Sequence, residues 1–229
     1  MVKVSFKTQV LQARAAAIVA AVNRLLAERG YDAMTMDAVA AEVGIAKASL
    51  YKHFKSKEAL AAAAMIDVLE RGLAFVVTLQ NEAAGDDIER LRAVTRWAMR
   101  MQLAGDMPSL PSQNSALRSA LGANQRYVEL LVQVSEVLGG WIVAGQQAGR
   151  LDPTLPPELL LYTVYARACD PVLGVMKAGG AHSDERIVEW VLSTCFRGLE
   201  ARPVAAAATP GAPAPTSPSR AAATPHSVG

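Results

Sequence analysis

Gly44-Ile45-Ala46-Lys47-Ala48-Ser49-Leu50-Tyr51-Lys52-His53-Phe54 is the stretch whose reading decides the fold. Gly44 can take the positive φ that a tight interhelical turn needs. Ile45, Leu50 and Phe54 fall at helical spacing and can pack inward. Lys47, Ser49, Tyr51, Lys52 and His53 are left to face out, and all five can donate hydrogen bonds. No acid occurs between Glu42 and Glu58. A short helix with an apolar back and a donor-only front suits a major groove lined with phosphates.

The flanking residues extend the pattern. Thr35 is a candidate N-cap for a helix over 36–43, with Asp37 in the first turn where the helix dipole favours an anion. Val39, Ala40 and Val43 form its inward face. Upstream, the spacing of Ile18, Val22, Leu25 and Leu26 predicts a first helix over 10–29, stopped by Gly30, with residues 1–8 as a short basic arm. Downstream, Ser56 can cap a long helix over 57–79 that starts with Glu58. At 1.5 Å per residue that helix is roughly 34 Å long and runs from this module into the rest of the chain.

Arg14 through Leu60 resembles the DNA-binding domain of the TetR (tetracycline-repressor-like) transcriptional regulators. The resemblance rests on Ile18, Ala21, Leu25, Gly30-Tyr31, Thr35, Val39-Ala40, Gly44-Ile45, Ser49-Leu50-Tyr51, His53-Phe54 and Ser56-Lys57-Glu58-Ala59-Leu60. It implies a recognition helix whose first residues, Lys47 and Ser49, touch base edges. It also implies phosphate contacts from Thr35, Tyr51, Lys52, His53 and Lys57, with Met36 and Ala48 completing the DNA-facing set. Two alternatives stay open: Tyr51 can pack against the first helix, and His53 can be a buried, hydrogen-bonded imidazole. Ala46 departs from the pattern, because it sits where Ser often caps the recognition helix. Ala cannot cap, a loss of roughly 0.5–2 kcal/mol.

The whole chain has 229 residues, is 52% hydrophobic and only 5% aromatic, so its core is mostly Ala, Leu, Val and Met. Alanine-rich helical periodicity without hairpin patterning predicts an all-α fold of about nine helices. Residues 1–60 carry nine Lys/Arg against five Asp/Glu, a net of +4, while the other 169 carry fourteen against sixteen. A basic module on a mildly acidic body fits a polyanionic partner for the first part only. Cys169 and Cys195 have no ligand spacing and are expected to be buried, reduced thiols, consistent with a cytoplasmic protein. Arg14, Asn23 and Arg24 interrupt the apolar stretch 10–26, which is read as too polar for a signal or a membrane span.

Three domains are expected: a helix-turn-helix domain at 1–56, a helical ligand-binding and dimerisation domain at 57–202, and a disordered tail at 203–229. The tail holds six prolines in 27 residues. Within the body, helices are expected over 87–103, 115–121, 124–148, 158–178 and 184–199. Gly139-Gly140 inside the third of these suggests close packing or a kink. Asp170-Pro171 should bend the next. Arg167 and Asp170 form an i,i+3 ion pair, or one of them reaches a polar ligand.

The body resembles the same family in outline, which implies a small-molecule site and a homodimer built from the last two helices. Trp97, Met101, Tyr127, Trp141, Tyr165 and Cys169 are the candidate lining residues, although apolar residues at this spacing serve a simple core equally well. Sparse charge over 120–178 favours an apolar or aromatic ligand. The implied function is a ligand-responsive repressor acting as a homodimer on a pseudo-palindromic operator in double-stranded DNA. A sensor or carrier without specific DNA binding is the alternative. No metal-ligand cluster, P-loop or dinucleotide turn is present in the sequence, so neither an enzyme nor a bound cofactor is expected.

Overall fold

The computed structural model describes residues 5–81, 86–108 and 114–200. These form ten α-helices and one short 3-10 turn: α1 (Phe6–Ala33), α2 (Met36–Val43), α3 (Lys47–His53), α4 (Lys57–Asn81), α5 (Asp87–Ala104), α6 (Ser115–Gly122), α7 (Gln125–Gln147), α8 (Pro157–Ala166), the 3-10 turn Arg167–Cys169, α9 (Pro171–Ala178) and α10 (Asp184–Leu199). Among the described residues the only β-type pairing is one isolated bridge between Leu151 and Glu200. The all-α fold expected from the sequence is present. The proposed tail lies outside the described residues.

Two hydrophobic cores organise the helices. The first gathers Ile18, Val22, Leu25 and Leu26 of α1, Val39 and Ala40 of α2, Leu50 of α3, Leu60, Ala61 and Ala64 of α4, and Leu117 of α6. The second gathers Val76 of α4 with buried side chains of α5, α7, α8, α9 and α10, among them Leu91, Leu138, Leu160, Leu173 and Phe196. Helix α4 supplies both, so the head and the body hang on one rod of 25 residues.

Helix ends follow their local chemistry. Thr35 Oγ1 accepts the Ala38 N–H at 3.1 Å, and Ser56 Oγ accepts the Ala59 N–H at 3.2 Å. Asp86 caps α5 by accepting the Glu89 N–H at 2.9 Å, and Ser183 caps α10. The Asp86 carboxyl is held below its ordinary range, first by that backbone bond and also by the Arg150 guanidinium. Gly44 closes α2 at φ 71°, with its own N–H donating to Ala41 O and the Ile45 N–H to Ala40 O. This paired closure needs a left-handed residue, which explains the glycine.

Several details differ from the sequence reading. Helix α1 begins at Phe6, because Ser5 caps it by accepting the Thr8 N–H, so the helix replaces much of the expected basic arm. Gly30 does interrupt α1, at φ 72°, and only residues 31–33 continue as a last turn. The single helix expected over 158–178 is two helices. Asp170 is extended (ψ 115°), the proline begins α9, and Asp170 Oδ1 accepts the Val172 N–H at 3.0 Å. A capped restart therefore replaces a bend, which adds a helix to the nine expected. Arg167 and Asp170 form the anticipated ion pair at 2.5 Å.

Gly139 and Gly140 neither kink α7 nor admit a neighbour. A Cβ at either position would meet nothing within 4 Å, Gly140 being exposed and Gly139 half-buried. The expectation that the first helix is too polar to span a membrane is also corrected. Thr8–Ala33, Gln125–Gln147 and Pro157–Ala178 are each long and apolar enough by length and composition. In α1 this hydropathy comes largely from alanines, and its larger apolar side chains are buried in the first core.

These two glycine environments predict opposite signs for one substitution. Gly44→Ala forces a Cβ into a left-handed residue and should destabilise the protein by roughly 1–2 kcal/mol. Gly139→Ala removes unfolded-state freedom at an open helical position and should stabilise by roughly 0.4–1 kcal/mol. Thermal or urea unfolding of the purified variants measures both.

Candidate nucleic-acid interface and internal cavity

Helices α2 and α3 are short, and each is fixed by a few inward side chains. Leu50 is fully buried, while Ile45 and Phe54 pack half-buried against the same core. With Leu50 anchored, Lys47, Ala48, Tyr51 and Lys52 face solvent, and Ser49 and His53 are half-buried beside them. Tyr51 is 40% exposed, which leaves its ring on the outer surface.

The front of α3 is not purely donor in character. Lys47 Nζ donates to Asp37 Oδ2 of α2 at 2.8 Å. That bond raises the Lys47 pKa. An acid ten residues upstream is brought beside the recognition helix by the turn at Gly44, a proximity invisible in linear spacing. Both partners are largely exposed, so a phosphate can compete for Lys47 at little cost.

Further residues frame the surface. Thr35 is exposed at the start of α2, where orphan N–H groups favour anions. Its neighbour Met36 is different: its side chain is buried in the first core, so what it offers outward is a backbone N–H. Lys57 begins α4, with its ammonium 4.3 Å from the centre of the Tyr31 ring and donating to Asp32 O at 3.1 Å. Tyr31 O–H donates to Glu58 Oε1 at 3.0 Å. Burial, then that carboxylate, pushes the Tyr31 pKa up to about 12, so the phenol stays a donor. The knot holds the start of α4 against the end of α1. Lys55 Nζ bonds back to Tyr51 O at 3.3 Å.

In the body, a cavity of about 290 Å³ opens between α4, α5, α7, α8 and the 3-10 turn. Trp97, Tyr127, Tyr165 and Cys169 line it, as the sequence suggested. Met101 and Trp141 do not. Met101 packs beside the small cluster of Val68, Ala98 and Met107 and accepts a bond from Arg71 at 3.9 Å. Trp141 is buried in the second core. Each sits on the packed side of its helix, which periodicity alone cannot separate from the cavity side. Met65, Val68, Leu69 and Gly72 of α4 line the cavity too and were missed. In the sequence their helix shows only as a connection between head and body, and its shared position in the fold is what reveals that one face bounds a void.

Both cysteines are free, but the expectation of burial fails for Cys169, which is exposed and lines the cavity. The 3-10 turn ending at Cys169 breaks the helical register and presents the thiol to the cavity. Surrounding protein pushes its pKa up, so it remains a thiol near neutral pH. Cys195 is half-buried. No group of three or more His, Cys, Asp or Glu suited to a metal occurs among the described residues.

Residues 18–64 match the model of bacterial regulatory proteins of the tetR family. The helix-turn-helix domain belongs to the tetR family. Over 62 residues the chain is 37% identical to the HTH-type transcriptional regulator YerO of Bacillus subtilis (strain 168), a match covering 27% of this chain and 22% of that protein. The chain therefore matches about a fifth of that relative's length.

Solved structures extend the likeness to the body. The fatty acid degradation regulator FadR from Bacillus halodurans matches with a TM-score of 0.64 at 19% identity, over 82% of this chain and 97% of that one. FadR from Bacillus subtilis, in complex with stearoyl-CoA, matches with a TM-score of 0.62 at 19% identity, over 80% and 98%. The ketosteroid regulator KstR2 of Mycobacterium tuberculosis matches with a TM-score of 0.55 at 20% identity, over 82% and 96%. At these identities the likeness is one of fold. The tetR-family head and the body below it thus share the architecture of known transcriptional regulators.

The tetR-family domain here lacks one common element: Ala46 precedes α3 with φ −65° and ψ 140° and makes no side-chain cap. Ala46→Ser should supply the missing acceptor in an already suitable backbone. The expected gain is about 0.5–2 kcal/mol, read as a raised unfolding midpoint.

Proposed function

We propose that the protein is a cytoplasmic, ligand-responsive transcriptional repressor that binds a pseudo-palindromic operator as a homodimer. The observation that carries this reading is α4. One end of it is packed under the recognition helix, and the other forms a wall of the apolar cavity. Lys47, Ser49 and Ala48 face base edges, while Tyr51, Lys52, His53, Thr35, Lys57 and the Met36 N–H hold phosphates. An apolar or aromatic effector occupies the cavity. It acts by favouring a placement of α4 in which two heads no longer match their half-sites.

Exposed apolar side chains support the dimer. Leu159 and Tyr162 of α8, Val172 and Val175 of α9, and Trp190 of α10 are all between 41% and 72% exposed. Side chains this large and apolar at the C-terminal end of the body fit a face covered by a second copy. Two heads related by a two-fold axis read half-sites about 34–36 Å apart, or a multiple of that.

Selection of bound fragments from the source genome by the purified protein tests the DNA reading. A palindrome should be enriched. Tyr51→Ala and Lys47→Ala should each weaken binding to it by about tenfold or more with folding intact. Lys52→Ala should weaken all sequences alike and lower the salt slope of log K by about 1. Unchanged affinity in these variants would refute the assigned face. Absence of any enrichment at low salt would favour a sensor without specific DNA binding.

The dimer face is tested separately. Val175→Asp places a charge in the proposed contact and should convert a dimer to a monomer in sedimentation or light-scattering measurements. A wild-type chain already monomeric at micromolar concentration would overturn the assignment.

A further inference from the structure

The cavity's walls specify the ligand more narrowly than an apolar character does. None of the described residues lining it is Asp, Glu, Lys, Arg or His. The titratable groups among them are Tyr127, Tyr165 and Cys169, and loss of contact with water within the surrounding protein pushes all three upward, so these groups stay neutral near neutral pH. A carboxylate or phosphate placed here would lose its water and meet no counter-charge.

Size and shape narrow the choice further. An apolar cavity of roughly 150 Å³ accepts benzene. At about 290 Å³, this one suits a molecule of about two fused rings. Three aromatic side chains line it, and Trp97 is fixed by stacking on Phe75, with centroids 5.8 Å apart and planes 22° from parallel. Gly72 of α4 packs close to the same ring, where an added Cβ would stand in ordinary contact, 3.5 Å from Cζ3. Aromatic walls, one of them a ring held in place, favour a flat ligand.

A hydrogen-bonded hydroxyl pair gives it orientation. Tyr165 Oη lies 2.7 Å from Ser135 Oγ, and Tyr165 lines the cavity whereas Ser135 stands behind it. The two hydroxyls bring two hydrogens to one mutual bond. When Ser135 donates to Tyr165, the phenol hydrogen is left for a ligand oxygen. Of the other wall hydroxyls, that of Thr95 is already spent on Leu91 O at 2.7 Å, and the Tyr127 phenol is a second candidate donor.

We propose that the cavity takes an uncharged, flat, bicyclic molecule bearing one hydroxyl or carbonyl group, with Tyr165 as its polar anchor. The proposal rests on the reading of this cavity as the effector site.

Titration of the full-length protein at pH 7 with 2-naphthol, 2-naphthoate and naphthalene tests it. 2-Naphthol should bind at least about tenfold more tightly than 2-naphthoate, which has the same ring system but carries a charge. Tyr165→Phe should weaken 2-naphthol by about three- to tenfold and leave naphthalene unchanged. Leu131→Trp and Val134→Trp, two independent ways to fill the cavity, should abolish binding of both neutral compounds. Quenching of Trp97 fluorescence, absent in Trp97→Phe, locates the ligand independently of those filled variants.

The proposal is overturned if 2-naphthoate binds as tightly as 2-naphthol, if Tyr165→Phe weakens naphthalene equally, or if no compound binds. It is also overturned if a folded, filled variant still binds. No DNA is present in these titrations. A failure here leaves the fragment selection untouched, and a failed selection leaves the cavity's ligand class standing.

Discussion

Helix α4 is the constraint on which the rest of the structure depends. Its first half gives Leu60, Ala61 and Ala64 to the core beneath the recognition helix, and its second half gives Val76 to the core of the body. Between them, Met65, Val68, Leu69 and Gly72 face the cavity. A helix is stiff over this length because every interior peptide is hydrogen-bonded to its neighbour a turn away. In the proposed mechanism, displacement at the cavity wall is carried along this rod to the head. Asn23 of α1 donates to Asp67 of α4 at 3.3 Å, and Arg71 joins Asp67 at 3.0 Å to Asp106 O at 3.1 Å. The rod is thus tied sideways both to the first helix and to the turn after α5.

Electrostatics adjusts this frame without holding it up. Most ion pairs are substantially exposed, such as Arg24–Glu42 and Arg126–Glu70, and pairs of that kind contribute about 0–1 kcal/mol each. Burial of Leu, Val and Phe side chains carries the larger share, at about 1.5–3 kcal/mol for each fully buried one. The exception in kind is Asp170. It is 5% exposed, paired with Arg167 and capping α9, so its charge is met from two directions. That double engagement is why the chain can break a helix between α8 and α9 with little backbone left unsatisfied.

The head was almost fully legible in the sequence. Caps at Thr35 and Ser56, the turn at Gly44 and the inward trio around Leu50 are local signals, and local signals survive without tertiary context. Lys47 meeting Asp37 was not legible, because it depends on how two helices cross. The cavity was only partly so. Periodicity shows which residues leave the solvent, and it gives the same answer for a packed neighbour and for an empty space. Trp97 and Trp141 therefore looked alike, yet one lines the cavity and the other fills the core. Gly139-Gly140 misled for a related reason: small residues signal contact only when a partner is present in the same protomer.

Sharing α4 between two cores, with Leu117 of α6 reaching up into the first, also bears on how such a protein can be recombined. A boundary drawn at Ser56 follows the order of the chain but cuts through packing. A fragment ending there would expose the buried faces of Ile18, Leu26 and Leu50 and lose the side chains that seal them. Grafting this reading head onto another sensor body therefore requires carrying α4 whole and the α6 turn with it, or redesigning the seam. The unit of exchange is larger than the motif that recognises DNA.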